Sequence, residues 1–509
     1  MSARWSIDAA SLPDVTRAAE LLALKVRVGD VVALHGDLGA GKTTFARALI
    51  RALLGNSQAE VPSPTFPLLQ PYETPRIAVS HFDLYRLSSP DELEEIGFRD
   101  ACATGLALIE WPERAGDLLP CERIDVRLAP GATAEQRRLT IEARGPAAPR
   151  IERLSVIDAF LLRAGLGGRI AYLQGDASAR SYARIVTPLG AMVLMDAPRM
   201  PDGPPMANGW PYSRIAHLAE DVRPFVALGT ALASTGITVP AIHAHDLDAG
   251  LLLLEDLGDN TFGRALADGA AQPDMTAAAV DVLLHLRANP FSRDLPLPDG
   301  ATHRLPRFDR AALEIEIGLI LDWYWPAVNG APPTDAVRAE FMALWSPVLD
   351  RLLAEPAGLF LRDYHSPNLF WLPDRAGVHR IGVIDFQDAL AEPWSHDLVS
   401  LLQDARLDVP AALEADQLDR YCAAVASREP GFDAARFRSV YAAFGAQRNT
   451  RLVGLWVRLL QRDGKPGYLQ HMPRTWDYLA RNLSHPDLAP LRAWYDRHFP
   501  AEVRQRALP

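Results

Sequence analysis

Cysteine is scarce: Cys102, Cys121 and Cys422 are all that occur in 509 residues, and no two stand in a C-x-x-C spacing. That pattern excludes a disulfide framework and a thiolate zinc site, and it suits a reducing cytosol. Long apolar runs are missing as well. No stretch of about 18 apolar residues occurs, so no membrane span is expected. The first residues, MSARWSIDAASLPD, carry acids early and have no apolar core of signal-peptide length, so no export signal and a cytoplasmic location are expected. Cations gather in no long run. With 52 Lys and Arg against 63 Asp and Glu the net charge is -11, which disfavours direct, charge-driven binding to nucleic acid.

What is present reads as globular protein. A hydrophobic fraction of 49% and a charged fraction of 23% argue against extensive disorder. A length of 509 residues exceeds what one core usually organises, so two to four domains are expected. Leu12 to Leu24 shows helical apolar spacing, Val31 to Leu34 reads as a buried strand, and Thr43 to Leu54 is helical again. Further strands are predicted at Arg76 to His81, Ala107 to Glu110, Ile124 to Leu128 and Arg138 to Ala143, an alternation that predicts an α/β domain. The run RGPAAPR, Arg144 to Arg150, has linker composition and places a domain boundary near residue 148. Beyond it a helix over Leu154 to Leu162 and strand-like runs within Ile170 to Leu194 predict a β-rich lobe over about 151–259. From Ala270 onward helical patterns dominate, which predicts a mainly helical lobe over about 260–509.

Gly36-Asp37-Leu38-Gly39-Ala40-Gly41-Lys42-Thr43 matches G-x-x-x-x-G-K-[ST] between a predicted strand and a predicted helix, the context this phosphate-binding loop requires. Its glycines let backbone N–H groups close around phosphate oxygens, Lys42 reaches the β- and γ-phosphates of ATP, and the Thr43 hydroxyl binds Mg²⁺. Thr44 completes the nucleotide-contacting run. Downstream, Ser63-Pro64-Thr65-Phe66, His81-Phe82-Asp83-Leu84-Tyr85-Arg86 and Ile109-Glu110-Trp111-Pro112 bring a hydroxyl and two carboxylates to strand ends, where a doubly wound fold gathers a metal-phosphate site.

Taken in order, GDLGAGKTT, SPTF, HFDLYR and IEWPE resemble the TsaE family, the ATPase subunit of the bacterial machinery that makes threonylcarbamoyladenosine in tRNA. The resemblance spans roughly the first 145 residues. It implies that Thr65 is a switch-type threonine near Mg²⁺, Asp83 a Walker-B-like carboxylate, Glu110 the residue that orients the attacking water, and Trp111 part of the nucleotide wall. It also implies a slow ATP switch acting on subunits of the threonylcarbamoyl transferase, with tRNA met only indirectly. A generic P-loop switch with another partner is the alternative.

In the second part, Leu361-Arg362-Asp363-Tyr364-His365-Ser366-Pro367-Asn368 holds Asp and Asn five residues apart, the spacing by which kinase catalytic loops aim a base and a metal ligand at one phosphate. The apolar run Ile381 to Ile384 then delivers Asp385, a second metal ligand. Asp363 would accept the proton of an attacking hydroxyl. LRDYHSPNL, VIDFQDAL and SHDLVSLL resemble the aminoglycoside phosphotransferase-like kinases. GDASARSYAR, MDAP, LLLLEDLGD and RDGKPGYL are similar, within them, to the anomeric kinases of N-acetylmuramate and N-acetylglucosamine, over roughly residues 151 to 505.

That likeness implies a turn over the ATP phosphates at Gly175, Asp176 and Ser178, and an adenine hinge from Glu255 to Leu257. It makes Asp397 more structural than catalytic. One departure stands out: the third strand reads Val193-Leu194-Met195-Asp196 where the general kinase pattern has a phosphate-pairing lysine, and no lysine lies between Lys42 and Lys465. Arg180 or Arg184 could supply the charge, Mg²⁺ could carry more of it, or the lobe could be an inactive scaffold. The acceptor could equally be choline, homoserine, methylthioribose or an aminoglycoside. The cation-rich segment Gln447 to Arg451 through Arg462 to Pro466, with Trp456 and Tyr468, reads as helix surface or as a sugar-side wall.

The expected whole is an α/β P-loop NTPase domain at 1–147 followed by a bilobal, protein-kinase-like α+β domain at 148–509. ATP and Mg²⁺ serve both sites.

Overall fold

The computed structural model describes all residues except 1, 90, 134, 174–179, 202, 204, 208, 507 and 509, with the side chains of 205–207 also left aside. It divides into two compact units, one of residues 1–198 with 242–256 and one of 199–241 with 257–509.

The first unit begins with β1 (Ser2–Ala9), α1 (Leu12–Lys25), β2 (Val31–His35) and α2 (Lys42–Leu54). Then come β3 (Leu69–Tyr72), β4 (Val79–Asp83), the short helices α3 (Glu92–Glu95) and α4 (Phe98–Thr104), β5 (Leu106–Glu110), β6 (Ile124–Pro130) and β7 (Arg137–Arg144). The seven strands form one sheet in the order β1-β7-β6-β2-β5-β4-β3. Its centre is parallel, β6 and β5 flanking β2 and β4 beside β5, while β7, β1 and β3 join antiparallel. Val31 to Leu34 and Leu106 to Glu110 are buried throughout, which is why these central strands read as continuous apolar runs rather than alternating ones.

The segment expected to be a linker is ordered instead. Gly145–Ala147 makes a single 3₁₀ turn and α5 (Ala148–Arg163) starts directly after it. Pro149 sits in the first turn, where a missing N–H costs nothing, so the proline that suggested a break in fact opens a helix. Beyond α5, β8 (Arg169–Leu173), β9 (Ser181–Thr187) and β10 (Gly190–Asp196) pair with the strands Leu251–Glu255 and Ile242–Asp246 in a five-stranded antiparallel sheet. A single apolar core unites this sheet with the first seven strands: Leu21 and Leu22 of α1, Ile157 and Leu161 of α5, and Ala183, Ile185, Leu194 and Leu253 of the five-stranded sheet are all buried in it.

The second unit is mainly helical. Its long helix Ala434–Asp463 packs against Arg310–Leu319 and Met472–Leu483, and short strand pairs carry the loop from Leu361 to Asn368 and the turn at Asp385. Among the described residues no helix is long and apolar enough to cross a membrane.

Candidate active sites

The first site forms where β2 runs into α2. Gly36 stands at φ 147°, and a Cβ there would lie 2.6 Å from the Leu128 carbonyl oxygen, so only glycine fits against β6. Gly41 caps α2 at φ 106°, which leaves the first N–H groups of the helix facing the loop. Gly39 is also left-handed, and Thr44 follows Thr43 in the first turn of α2. The Lys42 ammonium is folded back over the loop: it donates to the carbonyls of Gly36 (2.6 Å) and Asp37 (2.9 Å) and lies 3.6 Å from the Trp111 ring centroid. Burial lowers its pKa, against the raising influence of Glu110, Glu113, Asp83 and Asp37.

Register brings the two carboxylates together, since Asp83 at the end of β4 pairs with Glu110 at the end of β5. The Thr43 hydroxyl donates to Glu110 (2.7 Å), while Thr65 (2.6 Å) and Ser63 (2.9 Å) donate to Asp83. Thr43, Thr65 and Asp83 thus present hard oxygen donors around the end of β4, a set that fits Mg²⁺. Trp111 holds a left-handed backbone at φ 59° with its ring centroid 5.0 Å from that of Tyr85.

One residue of this site escaped the sequence reading. His81, fully buried, places Nε2 3.0 Å from the second Glu110 oxygen, so Glu110 is gripped from both sides. The available signal was H-x-D: residues two apart in a strand share a face, so His81 and Asp83 point the same way.

The second site is built on the loop Leu361 to Asn368. Arg362 stands at φ 75°, a strained conformation for a side chain of its size. It is held there by Asp397, which accepts the N–H groups of Leu361 (2.7 Å) and Arg362 (3.1 Å), and by Glu316 and the Ala216 carbonyl, which take its guanidinium. Asn368 closes the loop, its amide donating to the Asp363 carbonyl (3.0 Å) and lying 3.4 Å from Asp385. Asp385 is itself left-handed at φ 59°, and Gln387 donates to its other oxygen at 2.7 Å.

Burial opposes ionisation of Asp363, but His365 and the guanidiniums of Arg451, Arg362 and Arg448 outweigh it and hold the pKa below the ordinary carboxylate value. His365, 3.7 Å from Asp363, is pushed down to about 4 by burial, with Arg406 adding to the effect against Asp404 and Asp363. It is therefore neutral near pH 7. With Asn368 supplying an amide oxygen and Asp385 a carboxylate, the donor set fits a hard divalent cation.

Gly175, Asp176 and Ser178 lie outside the described residues. Glu255 ends its strand, and Leu257, where the second unit resumes, packs so closely that a Cβ on Gly382 would lie 2.9 Å from it. Arg184 donates to Asp256 (2.5 Å), so its charge is already met, and Asp196 pairs with Lys25 and Arg153. Trp456 is buried, stacked on Tyr468 and donating to Thr475.

Comparison with known proteins places both halves. The family model described as threonylcarbamoyl adenosine biosynthesis protein TsaE matches residues 9–139, and that of the phosphotransferase enzyme family matches residues 169–438. An N-acetylmuramate/N-acetylglucosamine kinase of Caulobacter vibrioides is 38% identical over 364 residues, 70% of this chain and 99% of the relative. A tRNA threonylcarbamoyladenosine biosynthesis protein TsaE of Rickettsia felis is 45% identical over 115 residues, 23% of this chain and 67% of the relative. A solved choline/ethanolamine kinase family protein from Mesorhizobium loti aligns over 70% of this chain and 99% of its own at 14% identity, with a TM-score of 0.43.

Proposed function

Since the chain belongs to the TsaE family in its first part and to the phosphotransferase enzyme family in its second, we propose that it joins two ATP-using enzymes. One is an ATPase that supports threonylcarbamoyladenosine synthesis on tRNA. The other is a kinase that phosphorylates the anomeric hydroxyl of N-acetylmuramate or N-acetylglucosamine for cell-wall recycling. The division between them lies near residue 148, and the ATPase acts on subunits of the threonylcarbamoyl transferase rather than on tRNA directly.

The observation that carries the kinase reading is the amide of Asn368, which ties the backbone of Asp363 to the side chain of Asp385 within one loop cluster. The anomeric oxygen attacks the γ-phosphorus of ATP, its proton passes to the Asp363 carboxylate, and the bond from that phosphorus to the bridging oxygen breaks to release ADP. The low pKa of Asp363 keeps it ionised, and thus able to accept, across the physiological range. Asn368 and Asp385 would hold Mg²⁺, which when bound neutralises charge on the transferred phosphoryl group.

In the ATPase, Lys42 leaves the Gly36 and Asp37 carbonyls for the phosphates. Glu110, gripped by His81, orients the water that attacks the γ-phosphorus, while Thr43, Thr65 and Asp83 would hold the metal. The kinase reading is tested by phosphorus NMR of the product made from N-acetylmuramate and ATP. A sugar 1-phosphate is expected, and phosphate at any other oxygen contradicts it.

A further inference from the structure

On the long helix Ala434–Asp463, Arg448, Arg451 and Arg458 stand three and seven residues apart, a spacing that puts all three on one face. This face looks toward the catalytic loop. Arg451 reaches Glu316 at 3.5 Å, but that carboxylate already serves the Arg362 guanidinium at 3.1 Å and Gln447 at 2.9 Å. Arg448 donates to the Gln403 carbonyl, while Arg458, like Arg451, meets the Tyr212 hydroxyl and holds its guanidinium carbon 4.9 Å from that ring. Among the described residues no carboxylate lies in ion-pair range of Arg448 or Arg458.

Four guanidiniums, with Arg362, therefore gather about Glu316 and Asp363, with Asp404 acting on Arg448 from the far side, and Asp363 is committed to the substrate proton. The Nε atom of Arg458 is buried without a hydrogen-bond partner, and that of Arg451 has only the long ion pair to Glu316. Burying cations unpaired is costly, and a folded protein keeps such a cluster where an anion completes it. Burial also pulls Arg448 down to about 10, with Arg451 and Arg406 adding to it against Asp404 and Asp363.

The row extends past the reach of the reacting phosphoryl group. From Arg451 to Arg458 the helix rises about 10 Å. The far cation is thus placed for an acidic substituent on the acceptor, not for the phosphate at Asp363.

We propose that Arg458, with Arg451 and Tyr212, forms a carboxylate-binding subsite that selects a sugar bearing an acid on a carbon away from its anomeric hydroxyl. The inference rests on the kinase reading above. N-acetylmuramate carries such an acid, as a lactyl ether on the third carbon, and N-acetylglucosamine is the same sugar without it. The planar fork of arginine matches a carboxylate through two parallel hydrogen bonds.

The test compares ATP-dependent phosphorylation of both sugars by the full-length protein and by Arg458→Leu and Arg458→Gln. Loss of a charge-assisted contact is expected to raise KM for N-acetylmuramate about 10-fold or more, with kcat on either sugar and KM for N-acetylglucosamine within about twofold of wild type. Activity on the neutral sugar also reports that the variants fold. Equal losses on both sugars assign Arg458 to the phosphate or to the fold and overturn the proposal, as does an unchanged KM for N-acetylmuramate. Phosphorylation of neither sugar by wild type overturns the kinase reading, and the subsite with it.

Discussion

Lys25, in the last turn of α1, donates to the carboxylate of Asp196 at the end of β10. Asp196 closes the strand that lacks the usual kinase lysine, and its carboxylate also takes Arg153 of α5 at 2.6 Å. Similar ties repeat along the same face: Arg17 and Trp5 meet Asp158, Glu20 takes Arg169 and the Ile170 N–H, and Asp30 takes Arg150. The P-loop portion and the β-rich lobe are thus joined by buried charges around a shared core, not tethered by a flexible linker.

Replacing Lys25 by Met leaves the buried Asp196 with one cation, Arg153, and the Ser181 hydroxyl. The expected cost is about 1–3 kcal/mol, a fall in Tm of several degrees read by circular dichroism or calorimetry. An unchanged Tm would mean that the contact contributes nothing to joining the two parts.

His81 touches Glu110, so under the proposed ATPase reading it would act on the reaction only through that carboxylate. His81→Gln keeps a donor near the carboxylate and is expected to retain most ATPase activity, whereas His81→Ala should lose about 10-fold or more in kcat with KM for ATP little changed. Equal behaviour of the two variants would make the histidine a packing residue.

The local signals were legible in the chain. The strand-turn-helix around Gly36 to Thr43 and the 363–368–385 spacing are short-range patterns, and the structure brings Asp363, Asn368 and Asp385 to one place. What escaped is long-range. β1 was not foreseen because its partner β7 lies more than a hundred residues away, where it pairs Ser2 with Arg144. The Pro-rich run at 144–150 has linker composition, yet it opens a helix because Ile151, Leu154 and Ile157 find a core supplied by α1 and the sheet. No window of sequence shows that Arg451 shares Glu316 with Arg362, since those residues meet only once three distant segments pack.

His365 gives a pH signature. Its pKa is about 4 in the folded chain and near 6.5 when unfolded, so between those values the unfolded state binds the extra proton and stability falls as pH falls. The wild type should lose up to about 3 kcal/mol more than His365→Gln on going from pH 7 to pH 4, read from denaturant unfolding at each pH. Parallel curves would contradict a buried neutral histidine.

The proposed reading gives the two chemistries separate residues, and so predicts that each can be removed alone. Asp363→Asn should lower sugar phosphorylation by about a thousandfold or more while leaving the slow ATPase intact, and Lys42→Ala should do the reverse. Two coupled assays on the same protein preparations check this, and loss of both activities in either variant would contradict it.

Calorimetric titration of the full chain with a non-hydrolysable ATP analogue and Mg²⁺ bears most directly on the whole. Two nucleotides per chain are expected for the wild type, and one each for Lys42→Ala and for Asp385→Asn. A stoichiometry of one for the wild type would contradict the presence of two working nucleotide sites.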